Sequence, residues 1–525
     1  MGFWTKSLLM FNAFCHNTKQ SIRQVAHQTG ISKSSVHRLK QAMERRDTHP
    51  ESWWWETEAG RCWLIRLVVA TLYTFGLKRG VGAETLSEFF GRLHLETQVG
   101  CSPSALRGMM EALAVTIVET ARTWEQDGVA AGEVREIIGA VDETFLEKMM
   151  LVFQDVPTGD IVQEEVSDDR TYATWKALVD ERLKALGTSV LYLVSDRAKA
   201  LIQLAEKGLE CLSMPDFFHL VHEIVKSYSL AVGRRLSQAH KDLKQAEAVL
   251  VRHPGLAQGA EAKAEGEARH VEVQRWEEVQ RTSRHHLETL SLTLHPFGIA
   301  DSAPQTSAQV ASRLHDAVEA IEAFARRHQL PPHYDAMNKV RKQLPALAAL
   351  VDFWWQGVGQ DLEPCGLSSR WRRWVHECLL PMVYWDSQVL RTRCQRRKAK
   401  LQAALGAVRA AFERHPITQQ LAPPVLAAWT AWATDRVKTF QRTSSAVEGR
   451  NGSLSQMHHN HRGLPKQRYK VWTVLHNFDC RASDGTTPAS RFFRRTFPDL
   501  FETVLSHIEV LPRSRQRTHD VALSP

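Results

Sequence analysis

Two stretches, Ile137-Ile-Gly-Ala-Val-Asp142 and Val190-Leu-Tyr-Leu-Val-Ser-Asp196, decide how this chain is read. Each is a short apolar, β-branched run that ends on an aspartate, the pattern of a strand buried on both faces. Between them, Met149–Phe153 predicts a second strand, Val156-Pro-Thr-Gly-Asp160 a turn, and Ile161–Val166 a third strand. Thr171–Ala185 then predicts a helix that stops at Gly187, and a fifth strand is expected near Glu210–Met214, leading into Asp216-Phe-Phe-His219 and another helix. The order is a meander of three strands, a helix, and a strand returning parallel. An α/β core follows.

Outward from this core the chain turns helical. Upstream, Ser21 to Lys40 holds a short amphipathic helix (Ile22, Val25, Ala26), a turn at Gly30, and a second helix capped by Ser32 with Val36 and Leu39 inside. That spacing predicts a helix-turn-helix whose exposed second helix offers Lys33, Ser34, Ser35, His37, Arg38 and Lys40 to a DNA major groove. Downstream, strand patterns vanish from about 232 to 438. Residues 236–290 read as long helices or a helical hairpin, and Arg391–Lys400 carries six basic residues. The predicted organisation is 1–50 helix-turn-helix, 51–130 helical with a possible second DNA-binding unit, 131–231 first part of the core, 232–440 an all-helical insertion, 441–485 second part of the core, and 486–525 a basic tail. The Trp53-Trp54-Trp55 cluster reads as core rather than as a base-stacking platform.

Bulk properties agree with a polyanion partner. The 525 residues carry 67 Lys and Arg against 58 Asp and Glu, a net charge of +9. The surplus sits at the ends: eight basic against two acidic residues in 1–50, thirteen against seven in 441–525. Eight scattered cysteines with no C-x-x-C pair exclude zinc-finger and dithiol redox motifs. No apolar run reaches a membrane-spanning length of roughly 18 residues. A soluble, cytoplasmic, DNA-associated protein without a membrane partner is expected.

The chemistry rests on the two strand-end aspartates. Strand ends are where side chains converge on the open edge of an α/β core. Asp142 and Asp196 lie 54 residues apart, the path from a first strand through a hairpin and helix to a fourth strand beside it. That is how a ribonuclease H-like fold begins. Neighbouring carboxylates repel unless a cation holds them, and a hard ion such as Mg2+ suits oxygen ligands. Glu448, at the start of a predicted helix after Ser444-Ser445, is the third candidate. Glu143 is expected to point to the opposite face of its strand.

The set Val-Asp142-Glu-Thr, Val-Ser-Asp196-Arg and Ser-Ser-Ala-Val-Glu448-Gly-Arg450-Asn451 resembles the DDE transposases of bacterial insertion sequences. The 252 residues from Asp196 to Glu448 match those members with an all-helical domain inserted before the glutamate, as in Mutator-like and hAT-like transposases. Asp216-Phe-Phe-His219 is similar to a segment such enzymes carry after the second aspartate, so Asp216 and His219 are expected to support the site. The resemblance implies a ribonuclease H-like core split by a helical insertion. It implies two Mg2+ ions, with Mn2+ as a substitute, held by Asp142, Asp196 and Glu448. The implied activity is cleavage at mobile-element ends and attack of the freed 3′-hydroxyl on target DNA, in a homo-oligomer assembled on DNA.

Arg450, Asn451, Arg462, Lys466 and Arg468 are the further DNA-contact candidates, with His458, His459 and His461 beside them. His459-Asn460-His461 spells H-N-H, but such nucleases spread those letters over a ββα unit. The spacing of Arg462 and Tyr469 leaves a tyrosine-recombinase reading with the aspartate strands unexplained. Three alternatives stay open: a helix-turn-helix transcription regulator, a metal-dependent nuclease without joining activity, and a decayed transposase copy.

Overall fold

The computed structural model describes residues 20–46, 54–55, 57–96, 98–129, 135–252, 257–461 and 468–512. The molecule is mostly helical, built around one mixed five-stranded sheet. Its strands are β1 (Arg135–Phe145), β2 (Met149–Asp155), β3 (Ile161–Ser167), β4 (Thr188–Ser195) and β5 (Leu212–Pro215), in the order β3-β2-β1-β4-β5. β1 and β2 pair antiparallel, as do β2 and β3, whereas β4 joins β1 and β5 in parallel. Both the meander and the parallel return predicted from sequence are present, and β1 and β4 are neighbours as expected. β1 extends past its apolar run to Phe145, so Asp142 lies within the strand, opposite Val152.

Alternation along the strands feeds two separate hydrophobic clusters. Ile138, Ala140, Met150, Val152, Tyr192, Val194 and Met214 face one side. Ile137, Val141, Leu151, Phe153, Val162 and Leu193 face the other. In mid-β1, Gly139 has no room for a side chain, since a Cβ there would sit 2.4 Å from the Phe153 ring and 2.7 Å from Leu193.

The helices divide between these faces. The N-terminal pair, α1 (Ile22–Thr29) and α2 (Lys33–Arg46), has its own small core of Val25, Ile31 and Val36, with Ile22 and Ala26 against it. Next come α3 (Glu58–Thr71), which runs on through a π-helical turn to Leu77, α4 (Ala83–Arg92) and α5 (Pro103–Val129). With α6 (Tyr172–Leu186), the crossover helix before β4, they cover the second face. The described helices of segment 51–130 therefore share one core with the sheet. Contrary to the sequence reading, Glu58–Leu77 is long and apolar enough to span a membrane by length and composition. Its apolarity has a packing explanation: Leu64, Val68, Leu72 and Tyr73 are buried in the second cluster, and Arg66 forms a two-pronged ion pair with Glu502 at 2.7 Å. Trp54 and Trp55 meet edge-on with Trp54 exposed, and Trp53 lies outside the described residues.

The first face receives α7 (Phe217–Ile224) and the insertion. The predicted hairpin is α8 (Leu230–Arg252) and α9 (Ala257–Ser291), followed by α10 (Ser307–Arg327), α11 (Tyr334–Leu362), α12 (Leu380–Arg391), α13 (Gln395–Arg414) and α14 (Pro423–Lys438). Phe297, Trp354, Trp374, Tyr384 and Trp385 fill its centre. The chain then re-enters beside β4: the Tyr192 hydroxyl donates to the Thr439 carbonyl at 2.8 Å and accepts from the Gln441 N–H at 2.8 Å.

After re-entry come α15 (Ser445–His461), α16 (Arg468–Asp479), α17 (Pro488–Phe492) and α18 (Leu500–Ser506). On α16, the Asn477 side chain accepts from the Ile161 N–H at 2.9 Å and donates to the Ile161 carbonyl at 3.0 Å, standing in for a further strand at the edge of β3. The predicted basic tail begins as structure, because Ala489, Phe492, Phe493, Leu500, Val504 and Leu511 belong to the second cluster.

Candidate functional site

The helix-turn-helix is the first of two candidate sites. Ser21 opens α1 with a reciprocal cap, its Oγ accepting from the Gln24 N–H while Gln24 Oε1 accepts from the Ser21 N–H. Gly30 ends α1 in the left-handed region at φ 67°, as its place in the turn requires. Ser32 caps α2 through the Ser35 N–H at 3.3 Å. With Val25 and Val36 fully buried, Lys33, Ser34, His37 and Arg38 are left exposed and Ser35 and Lys40 half-exposed. This is the face a recognition helix presents to a groove.

A second candidate site lies where β1 and β4 end and α7 and α15 begin. Asp216 is its hub. This buried carboxylate accepts from the Phe218 N–H (2.8 Å), the Ser444 N–H (3.1 Å), the Ser444 hydroxyl (2.5 Å) and His219 Nδ1 (2.6 Å). It thereby joins the start of α7 to the residue before α15, 228 positions away in sequence. The Arg442 carbonyl adds a bond from the Phe217 N–H at 3.0 Å. The pairing with Asp216 lifts the His219 imidazole to about 9, so it carries a proton at neutral pH. Its Nε2 lies 3.4 Å from Glu448 Oε1.

Glu448, in the first turn of α15, is thus aimed back at β1. Burial first, and the charge of Glu448 second, push the Asp142 carboxyl up to about 7. The Asn451 side-chain amide donates to Asp142 Oδ2 at 2.8 Å. Asn451 Oδ1 is buried and has no hydrogen-bond partner among the described residues. Asp142, His219 and Glu448 therefore form one electrostatic group, with Asp216 and Asn451 holding it from behind.

Asp196 stands apart from that group in its contacts. It is exposed at the end of β4, where its Oδ1 accepts from the Ala198 N–H at 2.8 Å. Its charge acts on Glu143, whose carboxyl is raised by burial and then by Asp196. Glu143 does lie on the opposite face from Asp142, with Arg170 at 3.6 Å and Trp175 beside it. Among the described residues, no three His, Cys, Asp or Glu side chains are gathered in metal-holding geometry. Asp142 and Glu448 are coupled through their charges and through His219; Asp196 follows the neighbouring strand without completing a triad.

One expected DNA contact is overturned. Arg450 is buried, and its guanidinium forms a two-pronged pair with buried Glu164 of β3 at 2.7 and 2.9 Å. Lying on α15 among packed neighbours, it clamps that helix to the sheet. Asn451, expected on DNA, holds Asp142 instead. His458 lies 3.6 Å from Glu147 and His459 is exposed. Arg462 and Lys466 lie outside the described residues, as do the side chains of His461 and Arg468. Sequence reasoning saw Ser444 as a helix cap and missed its bonds to Asp216, and it missed the Glu143–Asp196 coupling. The only local signal for Ser444 is its place just before a helix start.

Comparisons with known proteins bear on both sites. Residues 5–47 match the model of the IclR helix-turn-helix domain, so the N-terminal unit is a DNA-binding helix-turn-helix by pattern as well as by geometry. Residues 375–520 match a family of unknown function, DUF6399, a span that includes Ser444, Glu448, Arg450 and Asn451 but neither aspartate of the sheet. No curated protein matches the chain.

Proposed function

We propose that this protein is a DDE-type transposase, which binds mobile-element DNA through its helix-turn-helix and cuts and rejoins phosphodiesters at the Asp142–Glu448 site. The observation that carries the reading is the return of Glu448 to β1. A helix 252 residues beyond Asp196 places its glutamate against the aspartate of the central strand, anchored by Asp216 and Asn451. Strand order β3-β2-β1-β4-β5, with antiparallel and parallel pairings divided at β1, supports a ribonuclease H-like core, and the helices α8 to α14 between β5 and α15 are compatible with the insertion that the resemblance implies.

The donor set fits a hard divalent cation in its chemistry. Two half-buried carboxylates act on each other through their charge, with the His219 cation beside Glu448, and such a pair is costly without further positive charge. Asp142 and Glu448 would hold such an ion, and Asp196, which stands apart from them in its contacts, would have to turn towards it to serve as the third ligand. When bound, the ion supplies Lewis-acid activation of water or of a 3′-hydroxyl. The chain's own part is to hold Glu448 through His219 and Asp216, to hold Asp142 through Asn451, and to keep both carboxylates at the mouth of the sheet.

The test uses duplexes taken from the DNA flanking the protein's own gene, incubated with Mg2+ or Mn2+. Cleavage followed by 3′-end joining is expected, and Asp142→Asn or Glu448→Gln should abolish both while leaving DNA affinity within about twofold. The match to the IclR helix-turn-helix favours a second reading, a transcription regulator. Sequence-specific binding with neither cutting nor joining under either metal would select it, and cutting without joining would select a nuclease.

A further inference from the structure

The insertion carries a charged surface that the proposed chemistry does not use. From Ser387 to Phe412 the chain holds no Asp or Glu, yet Arg391, Arg393, Arg396, Arg397, Lys398 and Lys400 fall within ten residues. They surround the elbow Thr392–Cys394 between α12 and α13. Lys400 is neutralised by Glu288 at 2.8 Å. Arg393, Arg396, Arg397 and Lys398 have no carboxylate within salt-bridge distance among the described residues; Arg393 and Arg396 are exposed, and Arg397 and Lys398 are half-exposed. A folded protein left to itself gains by pairing such charges or spreading them apart. Four uncompensated cations at one elbow mark a place where negative charge arrives from outside.

The elbow packs against the end of α9, where Lys400 pairs with Glu288, close to the Ser291 and Leu294 carbonyls that Arg442 holds. Arg397 is close enough to Arg442 for its charge to hold the Arg442 guanidinium below its usual value, after the larger effect of burial. Arg442 donates to the Ser291 and Leu294 carbonyls at 3.0 and 2.8 Å and stacks over the Phe217 ring at 5.6 Å. Phe217 follows Asp216, which holds His219 and Ser444. Arg442 thus links the basic elbow to the segment that aims Glu448. A strand whose phosphate lies at an acidic site needs cations along its neighbouring phosphates, and the elbow carries four that face solvent at least in part.

We infer that the Arg393–Lys398 elbow is a second DNA-binding surface, distinct from the helix-turn-helix, which grips the phosphate backbone of the duplex entering the Asp142–Glu448 site. The inference rests on the phosphodiester-processing reading for its geometry, but its test reads contact rather than catalysis. Such contacts are sequence-independent and released by salt, each contributing about 0.9 to the slope of log affinity against log salt.

The elbow contains its own probe. Cys394 is exposed at the N-terminus of α13, where the Arg397 and Arg396 N–H groups hold its thiol below the usual range and favour the reactive thiolate. Cys62, Cys365 and Cys480 are exposed comparators within the same molecule. Iodoacetamide labelling of the full-length protein, read by mass spectrometry of each cysteine peptide, is compared with and without a saturating 40-base-pair duplex. Labelling of Cys394 is expected to slow at least fivefold while Cys365 changes less than twofold. The combined variant Arg393→Ala, Arg396→Ala, Lys398→Ala should keep the wild-type melting temperature and reduce the salt slope by about two to three. Unchanged labelling of Cys394 together with an unchanged slope overturns the inference, even in a protein that cuts DNA. Protection and a reduced slope in a protein that never cuts would uphold the surface and sink the transposase.

Discussion

At the scale of single residues, burial and a neighbouring charge set the state of the acids and bases around the sheet, as Asp142 and His476 show. Asp142 was marked by its strand, and its elevated carboxyl follows from burial beside Glu448. Arg450 was misassigned because a cation near a candidate site reads from sequence as a DNA contact. Its partner, Glu164, lies 286 residues earlier and gives no local signal of being buried. His476 passed unremarked for the same reason, yet it makes a measurable prediction. Its Nε2 donates to the Gly159 carbonyl at 2.9 Å, and burial first, then the Arg450 charge, hold its pKa at about 4. In the unfolded chain it titrates near 6.5, so between those values the unfolded state binds more protons than the folded one. The stability due to neutral His476 is therefore complete above pH 6.5 and is lost as pH falls towards 4, by about 3 kcal/mol at most. Urea unfolding across that window should show the loss. His476→Gln, which keeps a donor for Gly159, should flatten it; parallel wild-type and variant curves would assign the acid sensitivity elsewhere.

Elements were more legible than contacts. The strands declared themselves because burial on both faces demands continuous β-branched runs, and each observed strand overlaps its predicted span. The sequence could not show where β1 stops, because Asp142, Glu143 and Thr144 break the apolar run while β1 still pairs with β2. The helix-turn-helix was read from the spacing of Ala26, Gly30 and Val36 and from Ser32 as a cap, signals that all act locally. Gly30 offers the sharpest test at this scale. A Cβ placed there would meet nothing within 4 Å, so only its positive φ, and no steric limit, calls for glycine. Gly30→Ala should cost the small N-terminal unit about 1–2 kcal/mol. Among the described residues that core holds Val25, Ile31 and Val36 with Ile22 and Ala26 against it, so the loss should reach DNA affinity. A several-fold weaker specific complex is expected, with the main melting transition of the protein unmoved. Wild-type affinity in the variant would show that the turn is not held in this conformation when DNA is bound.

At the scale of the whole molecule, the sheet is a thin partition between two large apolar clusters, and neither is completed by adjacent sequence. The first face waits for the insertion and α15, the second for α16 through α18. Distance along the chain hid this. The tail after residue 486 reads as basic because Arg491, Arg494 and Arg495 stand out, whereas its apolar residues do the packing. Phe493 lies so close against Gly128 of α5 that a Cβ there would meet its ring at 2.4 Å, and Phe501 packs edge-on to Tyr73 at 5.4 Å. Arg491 itself donates to the Thr158 carbonyl in the β2–β3 turn at 2.7 Å, reaching inward. Each large buried side chain lost from such a core costs about 2–5 kcal/mol, and a domain has only about 5–15 kcal/mol to lose. Deletion of residues 486–525 takes away Ala489, Phe492, Phe493, Leu500, Val504 and Leu511 together. The shortened protein should accumulate insoluble, or unfold at least 10 °C below the full chain, in calorimetry on any soluble fraction. A mere DNA-binding tail predicts the reverse, an unchanged melting temperature with weaker, less salt-sensitive binding. That result would mean the closing helices are dispensable and that the second cluster is stable without its C-terminal wall.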